Sequence, residues 1–203
     1  MTKTKHIVLS LCAVTSLAIM AMAPERSSSG APASHTGAPG DLTCATAGCH
    51  DDNAVNTGTA ALSIDLGGQA GYMPDQIYQV KVKIADPSVE RFGFQIVALG
   101  NDNINSLGTF QITDSYRTQI TKNQYQMFGR HYVTYTYDGT DAVSTGFGEW
   151  TINWKAPSAD AGPVTFYASG VSANDDESDQ GDQVLTKSVV FPSLKHNDLN
   201  SSK

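Results

Sequence analysis

The sequence predicts an all-β protein, an antiparallel β-sandwich, on three observations. Short segments of alternating apolar and polar residues recur from Leu62 onward, with the period of a strand that buries one face. Gly, Pro, Asn or Asp bounds each segment, and no segment shows the 3.6-residue period of an amphipathic helix. The composition agrees, with 40% hydrophobic and 16% charged residues, 18 Gly and 8 Pro in 203 residues.

The strand candidates follow one another along the chain. They begin with LSIDL and YQVKVKI and continue with FGFQIVAL, GTFQITD, HYVTYTY, EWTINW, PVTFYASGV and QVLTKSVVF. About eight short strands separated by turns are typical of a sandwich. The apolar residues that share one face of their strand, and that we therefore expect in the core, are Leu62, Ile64 and Leu66; Tyr78, Val80, Val82 and Ile84; Trp150, Ile152 and Trp154; and Val164, Phe166 and Ala168.

The first residues predict export. Lys3 and Lys5 precede the apolar run Ile7–Met20, and the small residues of Ala21-Met22-Ala23 follow it, in the order of a secretory signal. We therefore expect a signal peptide over residues 1–23, with cleavage at a neighbouring position or an uncleaved anchor as alternatives. No later apolar run is long enough to cross a membrane, so we expect no integral span after the signal is removed.

The remainder of the chain divides by composition. Residues 24–58 predict an extended linker or a surface-hugging arm, residues 59–192 the sandwich, and residues 193–203 a polar tail. The net charge of −7 argues against a nucleic-acid partner, because a phosphate backbone requires a basic surface. Gly-x-Ser-x-Gly, phosphate-binding glycine loops and His-Glu-x-x-His are missing from the sequence, so we expect no enzyme.

The segment TCATAGCHD, residues 43–51, carries the chemistry of the chain. Cys44 and Cys49 are separated by four residues, and His50 follows directly, as in the c-type haem signature Cys-x-x-Cys-His with two extra residues. In an exported protein, such a pair by itself is more typical of a structural disulfide. Zinc is less favoured because a fourth ligand is missing. A thiol–disulfide enzyme would need Cys-x-x-Cys within a βαβ unit.

Several further runs carry a resemblance to a known family. They are GAPASHTGAPGDLTCATAGCH, GYMPDQIYQVKVKI, RFGFQIVAL, GTFQIT, WTINWKAPSADAGPVTFYASGVSAN and GDQVLTKSV, which together cover most of residues 30–191. In these runs the chain resembles bacterial Reelin-like (Reeler) domain proteins, also called choice-of-anchor V domain proteins. The resemblance implies an Ig-like (Reelin-like) sandwich with an irregular N-terminal haem or cysteine arm, exported to the periplasm or the cell surface of a bacterium.

The resemblance also implies a cofactor. One covalent haem c per chain would be attached by thioether bonds through Cys44 and Cys49, with His50 as the proximal iron ligand. The protein would then be a monohaem c-type cytochrome-like module for electron transfer or redox sensing, with a redox protein as partner. The alternative is a non-enzymatic extracellular binding or adhesion module for a cell-surface component, with Cys44–Cys49 as a structural disulfide.

Two departures from the family pattern affect the haem hypothesis. The cysteine spacing is four residues where the family typically has two. Relatives commonly read Tyr-Val-Thr-His-Thr where this chain reads YVTYT, so that Tyr135 replaces a histidine. His131 lies on the same strand face and is the first candidate for a distal iron ligand. His35, Met127 and Tyr135 itself are the others.

An acidic run, NDDESDQGDQ at residues 174–183, is a second polar feature. Its carboxylates are oxygen ligands of the kind that calcium binds, but their spacing does not match an EF-hand loop. A solvated acidic turn is the favoured interpretation, and calcium the less favoured one. The carboxylate residues of this run are Asp175, Asp176, Glu177, Asp179 and Asp182.

Overall fold

The predicted β-sandwich is confirmed. A computed structural model of the chain describes residues 29–122 and 129–194, and within them a one-turn 3-10 helix, Asp138–Thr140, is the only helix. The strands of the described ranges are β1 (Ala61–Asp65), β2 (Ile77–Ala85), β3 (Arg91–Leu99), β4 (Thr109–Ile112), β5 (Thr118–Lys122), β6 (His131–Tyr135), β7 (Phe147–Lys155), β8 (Val164–Ala173) and β9 (Gln183–Phe191). They form a four-stranded sheet in the order β1-β2-β7-β4 and a five-stranded sheet in the order β5-β6-β3-β8-β9. All neighbouring strands are antiparallel.

The core lies between the two sheets and contains the residues that the alternation predicts. On the four-stranded sheet, Val80 pairs with Ile152 and Val82 pairs with Trp150, and all four side chains are buried. The predicted positions on β1 and β8 belong to the same core cluster, in which Leu62 and Tyr78 are partly buried. Alternation therefore identified the inward face of these strands correctly.

Strand β3 does not alternate, because both of its faces are covered. Every residue from Phe92 to Leu99 is buried. Phe94 and Ile96 face the core between the sheets, while Val97 belongs to a second apolar cluster on the opposite face. That second cluster also contains Ala38, so the covering layer comes from the chain before β1.

We call residues 29–58 the arm, because they lie on the outer face of the five-stranded sheet. The buried side chain of Gln95 holds the arm by its amide group: its Oε1 accepts from the N–H of His35 (2.8 Å), and its Nε2 donates to the carbonyl of Pro32 (2.8 Å). Further along, the N–H of Asn56 donates to the carbonyl of Val184 (2.9 Å). A buried amide with all its bonds made by one segment fixes the position of that segment.

A buried ion pair fastens the middle of the arm. Arg130 Nη1 lies 2.7 Å from Asp41 Oδ1, and their side chains are 1% and 0% exposed. The guanidinium also donates to the carbonyls of Pro39 (2.8 Å), Ile104 (3.1 Å) and Asn103. These bonds satisfy the buried charge, so the arm is an integral layer of the sandwich.

Some predicted segments lie outside the described residues. These are the signal peptide over residues 1–23, most of the polar tail, and Met127. In the ranges that the structure describes, no helix is long and apolar enough to cross a membrane.

Candidate functional site

The Cys44–His50 segment folds into a compact loop held by its own backbone. The N–H of Cys49 donates to the carbonyl of Thr46 (2.9 Å), and the N–H of His50 donates to the carbonyl of Cys44 (3.1 Å). Gly48, at φ +82°, takes the left-handed conformation that this turn requires. By standard bond lengths, the bond between His50 and Cys44 keeps the Cα atoms of the two cysteines within about 8 Å of each other.

Cys44 lies at the bottom of this loop. Its side chain is buried against Val171 of β8 and Val184 of β9, and its N–H donates to Ser169 Oγ (3.3 Å). Burial raises the pKa of the Cys44 thiol to about 11; a hydrogen bond with Ser169 opposes this rise, and the neighbouring charge of Cys49 adds to it. The thiol is therefore protonated near neutral pH and is a poor nucleophile.

Cys49 lies nearer the surface than Cys44. It is partly exposed, and the two sulfur atoms are not bonded to each other in this structure. A disulfide requires Cα atoms roughly 4.4–6.8 Å apart. The upper limit of about 8 Å set by the loop is compatible with this range, so a disulfide could close the same loop.

His50 is oriented by a buried carboxylate. Its Nδ1 lies 2.6 Å from Oδ2 of Asp182, whose side chain is 1% exposed, while the imidazole is 31% exposed. The other oxygen of Asp182 accepts from the N–H of Asn174 (3.0 Å), and its backbone carbonyl accepts from Asn53 Nδ2 (3.0 Å). A carboxylate that accepts the Nδ1 proton fixes the tautomer and leaves Nε2 as the nitrogen that can bind a metal.

The pairing of His50 with Asp182 was not predicted from the sequence. Asp182 belongs to the acidic run between β8 and β9, where sequence reasoning considered it as a calcium ligand. The run folds as a turn with internal bonds: Asp176 accepts from the N–H and the hydroxyl of Ser178 (2.9 and 2.7 Å). In the described part of the chain, His, Cys, Asp and Glu side chains do not gather in threes to hold a metal ion.

Tyr135 also lies beside the cysteine loop. Its ring is half-buried against Gly93 of β3, where an added Cβ would meet Tyr135 Cε1 at 2.7 Å. Burial raises the pKa of the Tyr135 hydroxyl, and the charges of Cys44 and Cys49 raise it further. The structure therefore places Tyr135 near the two thiols.

The other candidate iron ligands are placed differently. His131 is exposed at the start of β6 and lines a cavity whose described lining contains neither cysteine. His35 lies within the arm, with Nδ1 at 3.0 Å from the carbonyl of Pro32 and 3.1 Å from that of Ala33. The structure does not bring His131 together with His50. A distal role for His131 stays a prediction.

Cys44, Cys49 and His50 have the chemistry of a haem c site. The packing around Cys44, however, does not fit a haem. Two thiols and an imidazole with a free Nε2 are the donor set of a c-type site. However, Cys44 is 8% exposed and packs on Val171 and Val184, with Tyr135 beside it. A porphyrin edge would have to replace these contacts to reach the Cys44 sulfur.

Comparisons with known proteins give likenesses of overall fold only. No family model matches the chain, and no curated protein matches it. Among solved structures, the chain is similar to a cohesin module from Clostridium perfringens family 33 glycoside hydrolase, with 9% identity, 66% of this chain and 96% of that chain covered, and a TM-score of 0.45. It is also similar to an uncharacterized protein from Nocardia farcinica with an immunoglobulin-like fold, with 14% identity, coverages of 64% and 97%, and a TM-score of 0.35. TM-scores this low carry no information about function.

Proposed function

We propose that this protein is an exported, non-catalytic binding module in which a Cys44–Cys49 disulfide closes a loop within the arm. The observation that carries the proposal is the closed loop from Cys44 to His50, with the Cys44 thiol buried against β8 and β9. A buried, protonated thiol suits a structural role better than a reactive one. In an oxidising compartment, two cysteines held this close are expected to form a disulfide.

A pair of exposed tyrosines supplies the binding surface in this proposal. Tyr116 is 66% exposed and Tyr137 is 57% exposed. The N–H of Thr136 donates to the carbonyl of Arg117 (3.0 Å), and the Thr136 hydroxyl donates to the carbonyl of Tyr116, so the turns that carry the two tyrosines lie side by side. Exposed tyrosines with few rotatable bonds are typical anchors of binding surfaces.

The segment that presents this tyrosine pair is rigidly held. Trp150 Nε1 donates to the carbonyl of Gly139 (2.9 Å), and Arg117 Nη2 donates to the carbonyl of Asp141 (2.7 Å). The core and the turn before β5 therefore both hold the segment that follows Tyr137. A preorganised surface loses little conformational entropy on binding, which favours affinity.

Intact-mass measurement of the exported protein tests the state of the cysteines. We expect a chain lighter by two hydrogens than the reduced sequence, which regains them on reduction, and no absorption of a Soret band. The expression strain must be competent for cytochrome c maturation, so that haem attachment is a fair alternative. A chain heavier by one haem, with a haemochrome spectrum, would overturn the disulfide.

A monohaem c-type module for electron transfer or redox sensing is the second candidate function. The observation that favours it is His50, because Asp182 holds its Nδ1 and leaves Nε2 available to iron. Cys44 and Cys49 would carry the thioether bonds, and the haem would supply one-electron redox chemistry. The same mass and spectral measurement decides between the two candidates.

Removing the tyrosine pair tests the binding surface. We expect beads coated with the Tyr116→Ser/Tyr137→Ser variant to bind cells of the producing bacterium about tenfold less than beads coated with the parent protein. Both side chains are exposed, so thermal stability should be unchanged. Ile77→Ser is the matched control, since Ile77 is a comparably exposed apolar residue on β2. If beads coated with the double tyrosine variant and beads coated with Ile77→Ser bound cells equally, the assignment of this surface would be contradicted.

A further inference from the structure

A cavity opens where the two sheets separate, between β4 and β5. These are the last strands of their sheets, so each has one edge without a strand partner in the described fold. The cavity has a volume of about 270 Å³, and its described lining contains no residue of the cysteine loop. It is roughly twice the size of an apolar cavity that holds one benzene ring.

The floor and the mouth of this cavity differ in chemistry. Ala98 and Phe110 are buried and form an apolar floor, and Ile120 is 46% exposed at the mouth. The polar side chains that line the cavity are Ser106, Thr109 and His131, and the N–H of His131 donates to Ser106 Oγ (2.9 Å). An apolar floor with a few polar groups at one end is the usual form of a small-molecule site.

A lysine lies beside the histidine at the mouth. Lys122 pairs with His131 in the register of β5 and β6, and cross-strand partners project from the same face of a sheet. No aspartate or glutamate is among the described residues that line the cavity. Two basic side chains beside an apolar floor favour an anionic group on an apolar body.

We propose that this cavity binds a small amphipathic carboxylate. The aromatic or aliphatic body lies against Phe110 and Ile120, and the carboxylate pairs with His131 and Lys122. The site is independent of the tyrosine pair and of the state of the cysteines, and would give an exported module a second, small-molecule ligand.

Benzoate is the probe for this site, and benzyl alcohol is its neutral control. In NMR titrations of the whole protein, we expect benzoate to shift the amide signals of residues 106–110 and Ile120 saturably, with a Kd of about 1 mM. The Lys122→Gln/His131→Gln variant should bind benzoate about tenfold more weakly and benzyl alcohol unchanged. Ile120→Trp, which fills the mouth, should remove both ligands.

Three outcomes overturn the proposal. They are no saturable shift at these amides up to about 50 mM benzoate, equal binding of benzoate by the parent and the double variant, and shifts that are spread over the whole surface. Lys187→Gln removes an exposed positive charge from β9 and serves as the control for net charge. A loss of benzoate binding in that control would also count against the site.

Discussion

The Asp41→Ala variant is expected to unfold with a free energy about 3–5 kcal/mol lower than that of the parent protein. Asp41 accepts from Arg130 Nη1 (2.7 Å), from the hydroxyl of Tyr132 (3.0 Å) and from Thr36 Oγ1 (2.6 Å). Its removal leaves a guanidinium charge buried without a counter-charge and the Thr36 hydroxyl without its acceptor, while the Tyr132 hydroxyl keeps Ser34 Oγ (3.0 Å) as a partner. Each unsatisfied buried group costs on the order of 1–3 kcal/mol.

Denaturant unfolding measures this loss, and hydrogen exchange shows where it acts. We expect amides of the arm between Ala31 and Leu42 to lose protection before those of β3, because the ion pair joins the arm to the sheet. The control is Glu149→Ala, which breaks a half-buried pair with Lys81 at the surface (3.1 Å) and should cost at most about 1 kcal/mol. A similar cost for both variants would mean that the arm is not held by the buried pair.

Alternation predicted the four-stranded sheet well, because each of its strands buries one face. Val80, Val82 and Ile84 are buried as the period of two requires, with Lys81 and Lys83 between them half-buried. The same reasoning missed β5, whose sequence TQITK has a single large apolar residue. An edge strand paired on one side only has little need of apolar residues, so its sequence resembles a turn.

The site was predicted in part, and the missing part depends on distant residues. The loop containing Cys44, Cys49 and His50 could be found because its chemistry lies within seven residues. The partner of His50 could not, because Asp182 is 132 residues away and belongs to a run whose local pattern indicates a solvated turn. The departure at Tyr135 was visible only through a family resemblance, and its position near the thiols joins residues that are distant in the sequence.

The Trp154→Ala variant is expected to lose about 3–5 kcal/mol of unfolding free energy, as for other large aromatic residues in a core. Trp154 is fully buried, and its ring lies edge-on to Tyr72 (centroids 5.4 Å apart) and to Phe166 (5.3 Å). Its Nε1 donates to the carbonyl of Leu107 (2.9 Å). Truncation therefore opens a cavity at the centre of the aromatic cluster and leaves that carbonyl without its donor.

Trp154→Phe separates the two contributions. It keeps an aromatic ring in the core and removes the indole N–H with the smaller ring, so we expect a loss of about 1–2 kcal/mol in chemical denaturation. The matched control is Trp150→Phe, which removes the bond to the carbonyl of Gly139 (2.9 Å) and leaves the Leu107 carbonyl satisfied. Equal losses for Trp154→Phe and Trp154→Ala would show that packing against Tyr72 and Phe166 contributes little.

The two tryptophans also predict where each functional surface is supported. Gly108 packs directly on the indole of Trp154, since an added Cβ would lie 2.5 Å from Nε1. Trp154→Phe loosens this contact, so it should weaken benzoate binding at the neighbouring cavity and leave cell binding through the tyrosine pair unchanged. Trp150→Phe should have the opposite effect, because Trp150 supports the segment after Tyr137. If both variants weakened both activities equally, the two surfaces would depend on overall stability rather than on these local bonds.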